Sequence, residues 1–122
     1  MYSLPVARNV NAPAYPDTVV LVDEGTSSVS EIFAQAMTNL PDTNIWGWPT
    51  AGQVVMARWF QVGSLGGGDY AMSIPIAGFR AENGEEIERI GVRPKRELQY
   101  DLAASLRGED SWINEAIKSF SH

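Results

Sequence analysis

Residues 18–40, TVVLVDEGTSSVSEIFAQAMTNL, constrain this chain more than any other stretch. Thr18-Val19-Val20-Leu21-Val22 is apolar and β-branched, the pattern of a buried strand. Asp23-Glu24-Gly25 break it, and Gly25 is expected to take backbone angles closed to other residues. Four hydroxyl residues follow: Thr26, Ser27, Ser28 and Ser30. Then Ile32, Phe33, Ala36, Met37 and Leu40 recur with helical spacing and predict one apolar helix face. A serine therefore stands where a strand hands over to a helix, beside unsatisfied N–H groups and the positive end of the helix dipole. Two roles fit Ser28. With Glu31 it matches the S-x-x-E capping box. It also has the placement of a nucleophile whose oxyanion would be held by helix-start N–H groups.

Composition limits the alternatives. A 122-residue chain is one domain or a piece of one, with 44% apolar and 20% charged residues, an ordinary globular balance. The net charge of −6 argues against a nucleic-acid partner, which needs a basic face. No apolar run approaches the 20 or so residues of a membrane span. The start, Met1-Tyr2-Ser3-Leu4-Pro5, lacks the charged and apolar regions of a signal peptide. Cysteine is absent, which excludes disulfides and thiolate chemistry, and the only histidine is His122. Neither a metal nor a cofactor is expected.

Along the chain, residues 1–17 carry three prolines and read as a loop or edge segment, with residues 2–6 a candidate edge strand. Pro41-Asp42-Thr43-Asn44 is a turn, Ile45-Trp46-Gly47-Trp48 a short strand, and residues 49–52 a loop. Residues 53–62 read as a strand, and residues 69–77 as another with Tyr70, Met72, Ile74 and Ile76 on one face. The glycine-rich 63–68 connection is expected to be a hairpin, since no Lys-Ser/Thr and helix follow it as a phosphate loop requires. Pro75 marks an edge or bulge. Asn83-Gly84 signals a tight turn, residues 87–92 a returning strand, and Glu82, Glu85, Glu86 and Glu88 a solvated face. A short helix is expected over residues 100–106. A last one, capped by Asp110 or Ser111, carries Trp112, Ile113, Ala116, Ile117 and Phe120 on a stripe. The fold class is α/β or α+β without internal repeats.

With these elements placed, the sequence resembles the carboxyl-terminal processing (tail-specific) serine peptidases and their tricorn-core-protease relatives. VVLVDEGTSSVSEIFAQAM is similar to the family's strand, S-A-S-A-S-E nucleophile turn and helix. GWPTAG resembles its G-x-x-T-x-G loop, ENGEEIERIGVRP the segment ending in E-G-x-G-V-x-P-D, and DLAASLRGEDSWINEAIKSF its closing tail. The resemblance implies an α/β, crotonase-like or Clp-protease-like core. It makes residues 18–122 the C-terminal part of a catalytic domain that hydrolyses peptide bonds. It places the nucleophile on Ser28, an oxyanion donor on the Val29 N–H, substrate contacts on Gly25 and Thr50, and an organising acid on Glu88. A cell-envelope or secreted location is what the family suggests.

The chain departs from the family pattern in two ways. The general-base lysine position, 25 residues after Ser28, holds Gln53, whose amide cannot accept the serine proton. Such a loop resembles the branch in which an upstream histidine serves as base; an engineered lysine-to-glutamine change would read the same. The D-L-R-x-N-x-G-G motif that supplies the second oxyanion donor is also missing. The expectation is a serine-peptidase core fragment, weak or inactive alone. Its partners would be a polypeptide substrate and either the missing N-terminal part or a second copy in a homo-oligomer. The alternative is a non-catalytic peptide-binding scaffold whose strand edges, with Trp46, Trp48, Trp59 and Phe60, form the contact surface. A crotonase-like acyl-CoA enzyme shares the oxyanion logic but not the serine turn.

Overall fold

A computed structural model describes residues 17–81 and 83–121. The first strand, β1 (Thr18–Val22), leads through helix α1 (Val29–Met37) into β2 (Thr43–Gly47). β1 and β2 pair in parallel from Thr18↔Thr43 to Val22↔Gly47. The short strand β5 (Arg96–Glu97) adds to β2 in parallel, giving the order β1-β2-β5. The near-continuous apolar run of β1 follows from burial on both faces, as parallel sheets require. One face contributes Val20, Val22 and Ile45 to a core with Ala34, Ile32 and Met37 of α1 and with Val54, Phe79, Ile87 and Val92. The other contributes Val19, Leu21 and Trp46 to a smaller cluster with Leu98 and with Trp112 and Ala116 of helix α3 (Ser111–Ser119). Each fully buried aliphatic side chain contributes roughly 1.5–3 kcal/mol.

Both closing helices start on aspartate caps; α3 has the cap the sequence offers, whereas α2 (Leu102–Leu106) starts two residues later than expected, with Asp101 outside it. Asp101 accepts the Ala104 N–H at 2.9 Å to start α2. Asp110 accepts the Trp112 and Ile113 N–H groups at 2.9 and 3.0 Å to start α3. Of the expected α3 stripe only Ala116 is buried and Trp112 half-buried; Ile113, Ile117 and Phe120 remain exposed.

β3 (Met56–Leu65) and β4 (Gly68–Ala77) form a separate two-stranded antiparallel ribbon, exposed along its whole length. Gly66 and Gly67 join them at φ 60° and 84°, the two positive angles that a two-residue hairpin turn demands. The ladder is irregular beside Pro75, where Ala57 faces Pro75 and Met56 faces Ala77, as a residue without an N–H dictates.

Several expectations need correcting. β3 begins at Met56 rather than Gln53, because the Gln53 and Val54 N–H groups donate to the carboxylates of Glu31 and Glu88. The buried face of α1 is Glu31, Ala34 and Gln35, flanked by Ile32 and Met37, while Phe33 is 56% exposed and Ala36 is exposed. A polarity count could not place a glutamate in the core. Residues 87–92 form turns rather than a strand, since their backbone groups bond the 50–52 loop. The four aromatics form no common surface: Trp46 is buried, Trp48 is half-buried, and Trp59 and Phe60 lie on the ribbon. Of the expected acidic face, Glu85 and Glu86 are exposed and Glu88 is half-buried. Glu82 and residues 2–6 lie outside the described residues.

Candidate active site

The turn from β1 into α1 is folded by its own side chains. Asp23 Oδ1 accepts the N–H groups of Gly25 and Thr26 at 3.0 Å each, and the Asp23 N–H donates to Thr26 Oγ1 at 3.1 Å. This side-chain-closed turn asks nothing unusual of Gly25, which does not adopt positive φ. The special backbone angles fall on Ser28 instead, at φ 59° and ψ −126°. An N-cap serine ordinarily sits in the extended region. Holding a non-glycine residue at positive φ costs on the order of 1–3 kcal/mol, which the surroundings must supply.

Glu31 supplies them. This side chain has no exposed surface, yet it is a carboxylate. Its Oε1 accepts the Thr50 hydroxyl at 2.5 Å and the Gly52 N–H at 2.6 Å. Its Oε2 accepts the Gln53 N–H at 2.8 Å and the Ser28 N–H at 3.0 Å. Burial pushes the Glu31 pKa up, but the hydrogen bonds from Thr50, Gln53, Gly52 and Ser28 outweigh it and hold the pKa below its ordinary value. Ser28 and Glu31 are thus placed as a capping box. The Glu31 half is a full hydrogen bond, whereas the Ser28 hydroxyl falls short of cap hydrogen-bond geometry.

The 50–54 loop is fixed from both sides around this carboxylate. The Ser28 N–H also donates to the Gln53 carbonyl, and the Ala51 N–H to the Thr26 carbonyl, both at 2.9 Å. Thr50 Oγ1 accepts the Val92 N–H at 2.7 Å, so its 7%-exposed side chain is committed to the scaffold. Gly52 has φ 67°, and a Cβ there would stand 2.8 Å from the Ile90 nitrogen. Its carbonyl accepts the Arg89 N–H at 2.7 Å, and Arg89 itself has φ 64°. Glu88 Oε2 accepts the Val54 N–H at 2.8 Å.

The structure therefore gathers Ser28, Thr50 and Gln53 on one buried carboxylate, with Val29 next to Ser28 in the chain and Glu88 bound to the neighbouring Val54 N–H, and leaves Gly25 in the preceding turn. Ser28 and Gln53 are exposed, and Val29, first residue of α1, carries an N–H with no intrahelical acceptor. Beside the 23–24 turn lies an open cleft of about 630 Å³, walled by Trp48, Tyr100 and Trp112. The Trp48 and Trp112 rings meet edge to face at 5.4 Å. The residue that sequence reasoning undervalued is Glu31, taken only as a capping partner. The signal was present in the spacing of Ser28-x-x-Glu31 and in Thr50-Ala51-Gly52, which have to meet to form the site.

The sequence model of peptidase family S41 matches residues 10–98. The chain belongs to peptidase family S41. Among solved structures it is similar to mature CPAF complexed with lactacystin, at 23% identity and TM-score 0.68, over 80% of this chain and 19% of that one. It is similar to the tricorn protease, at 26% identity and TM-score 0.67, over 83% of this chain and 10% of that one. It is also similar to the photosystem II D1 C-terminal processing protease, at 30% identity and TM-score 0.51, over 70% of this chain and 22% of that one. The chain thus spans at most about a fifth of the length of these three proteins. Its mixed α/β fold is that of part of an S41 peptidase domain.

Proposed function

We propose that this chain is the nucleophile-bearing part of a serine peptidase of the C-terminal processing type, a partial crotonase-like or Clp-protease-like core. The observation that carries the reading is the strained backbone of Ser28. A purely capping serine has no need of φ 59°, whereas a nucleophile lifted out of a strand-to-helix turn does. In the reaction Ser28 Oγ attacks the carbonyl carbon of a substrate peptide bond and gives up its proton. The new oxyanion takes a hydrogen bond from the Val29 N–H at the positive end of α1. The base passes that proton to the amide nitrogen, the C–N bond breaks to release the amine, and water hydrolyses the remaining acyl-serine to the carboxylic acid and free Ser28. Glu88, through Val54, and Thr50, through Glu31, fix the loop opposite the nucleophile; Gly25 shapes the approach to it.

The base is the part this reading places elsewhere. Gln53 offers no proton-accepting nitrogen, and Lys95 is engaged with Asn44 at 3.2 Å. The base and the second oxyanion donor would come from residues upstream in a longer polypeptide or from another copy. The test is intact-mass analysis after exposure to a fluorophosphonate, whose phosphorus the serine oxygen attacks with loss of fluoride. The chain is expected to add one label, slowly, at Ser28, and the Ser28→Ala variant none. Equal labelling of both would overturn the assignment. A folded chain that takes no label either alone or in a polypeptide extended upstream would favour the non-catalytic scaffold, the reading that Gln53 supports.

A further inference from the structure

The cleft beside the 23–24 turn takes no part in the chemistry assigned to Ser28, yet it opens where ligands collect in this architecture. β1 ends at Val22 and β2 at Gly47, and the residues that follow them, Asp23 and Trp48, both line it. The crevice beyond the carboxyl ends of parallel strands is the usual ligand site of an open α/β sheet. Ser28 follows the same end of β1. Two walls of the cleft are indoles fixed by their own polar atoms. Trp48 Nε1 donates to the Leu98 carbonyl at 2.7 Å, and Trp112 Nε1 to the Gln99 carbonyl at 3.1 Å. Their rings stand 75° apart and form a corner that is ordered before any ligand arrives. Tyr100, 57% exposed, adds a third aromatic surface.

The charge of the cleft is one-sided. Among the described residues that line it, five are acidic and none is basic. Asp23, Asp101 and Asp110 each commit Oδ1 to backbone N–H groups and keep a second oxygen. Glu24 enters no hydrogen bond or ion pair among the described residues. Glu109 pairs with the exposed Arg107. The two helix starts that could draw an anion here are already filled by Asp101 and Asp110. An apolar segment laid over the cleft would strip water from carboxylates without giving them partners, which is costly. The occupant that matches walls and charge together is a cation with a flat face.

We infer that this cleft binds a basic side chain of the polypeptide substrate, arginine in preference to lysine. A guanidinium stacks on an indole and offers a planar fork of N–H donors to carboxylates, which an ammonium cannot do. Naming the occupant a substrate residue rests on the peptidase reading of Ser28; the cation site stands on the cleft alone.

The test is titration of the isotope-labelled chain with N-acetyl-argininamide, read on its indole N–H signals. The signals of Trp48 and Trp112, identified with Trp48→Phe and Trp112→Phe, are expected to shift saturably, and that of Trp59 on the ribbon to stay. N-acetyl-citrullinamide, of the same shape without the charge, should bind about tenfold more weakly. Glu24→Gln combined with Glu109→Gln should weaken argininamide about fivefold, and Glu86→Gln, outside the cleft, should leave it unchanged. Equal binding of the two ligands, no effect of the double variant, or no saturable shift overturns the inference. So does binding that is lost in a polypeptide extended upstream, where the rest of the domain would then fill the cleft. Argininamide binding by a protein whose Ser28 takes no fluorophosphonate in either form overturns the peptidase reading and not the cation site, so the two failures are told apart.

Discussion

Replacing Glu31 by glutamine changes one atom type in a site that has no room for a second donor set. The wild-type carboxylate accepts four hydrogen bonds, two on each oxygen. In Glu31→Gln one oxygen remains to accept from two donors, and the other position becomes an NH₂ that faces two N–H groups. If the amide oxygen stays near Thr50 and Gly52, the Ser28 N–H keeps the Gln53 carbonyl, but the Gln53 N–H loses its acceptor. The buried NH₂ gains none. Each unsatisfied buried group costs about 1–3 kcal/mol, so the expected loss is about 2–6 kcal/mol. That is a large part of the roughly 5–15 kcal/mol available to a domain of ordinary stability. In urea, with m near 1–3 kcal/mol per molar, the midpoint followed by circular dichroism should fall by about 1 M or more. A midpoint within a few tenths molar of the wild type would refute the reasoning, because it would mean the four donors find partners without a carboxylate.

Two further predictions concern the same knot. Ser28→Gly should be more stable than Ser28→Ala by about 1 kcal/mol, since glycine adopts φ 59° without a Cβ penalty and alanine does not; equal urea midpoints would show that the turn relaxes. Because the folded pKa of Glu31 lies below its unfolded value, its stabilisation is present above about pH 4.3 and is lost as pH falls through the folded pKa. The gap in urea midpoint between wild type and Glu31→Gln should therefore stay level at neutral pH and narrow as the pH falls below about 4.3, and a gap that is constant through the acid range would contradict the assignment.

Much of the frame was legible in the sequence because its signals are local. The β-branched run gave β1, Asp110 announced α3, and the glycine-rich stretch after Val62 gave the hairpin. What was not legible depends on which polar group goes inside. Glu31 is buried because four donors from residues 28, 50, 52 and 53 converge on it, and no window of the sequence contains all of them. The same knot draws Gln53 and Val54 out of the strand pattern and makes turns of residues 87–92, whose apolar spacing alone reads as a strand. Gly25 misled because glycine permits unusual angles without requiring them; the angles went to Ser28, where a side chain is needed.

The most direct test of a nucleophile held on a Glu31-fixed turn is a gain of reactivity. Gln53 is exposed, its backbone carbonyl bonds the Ser28 N–H, and its side chain enters no hydrogen bond that fixes the turn. Gln53→Lys places an amine at the position where the resemblance implies a general-base lysine and leaves the backbone contacts in place. Fluorophosphonate labelling, followed by intact mass at about pH 9, should then accelerate about tenfold or more, toward the range of a positioned general base. The acceleration should vanish in Gln53→Lys combined with Ser28→Ala. Labelling that is unchanged by the lysine, or that persists without Ser28, would contradict the account.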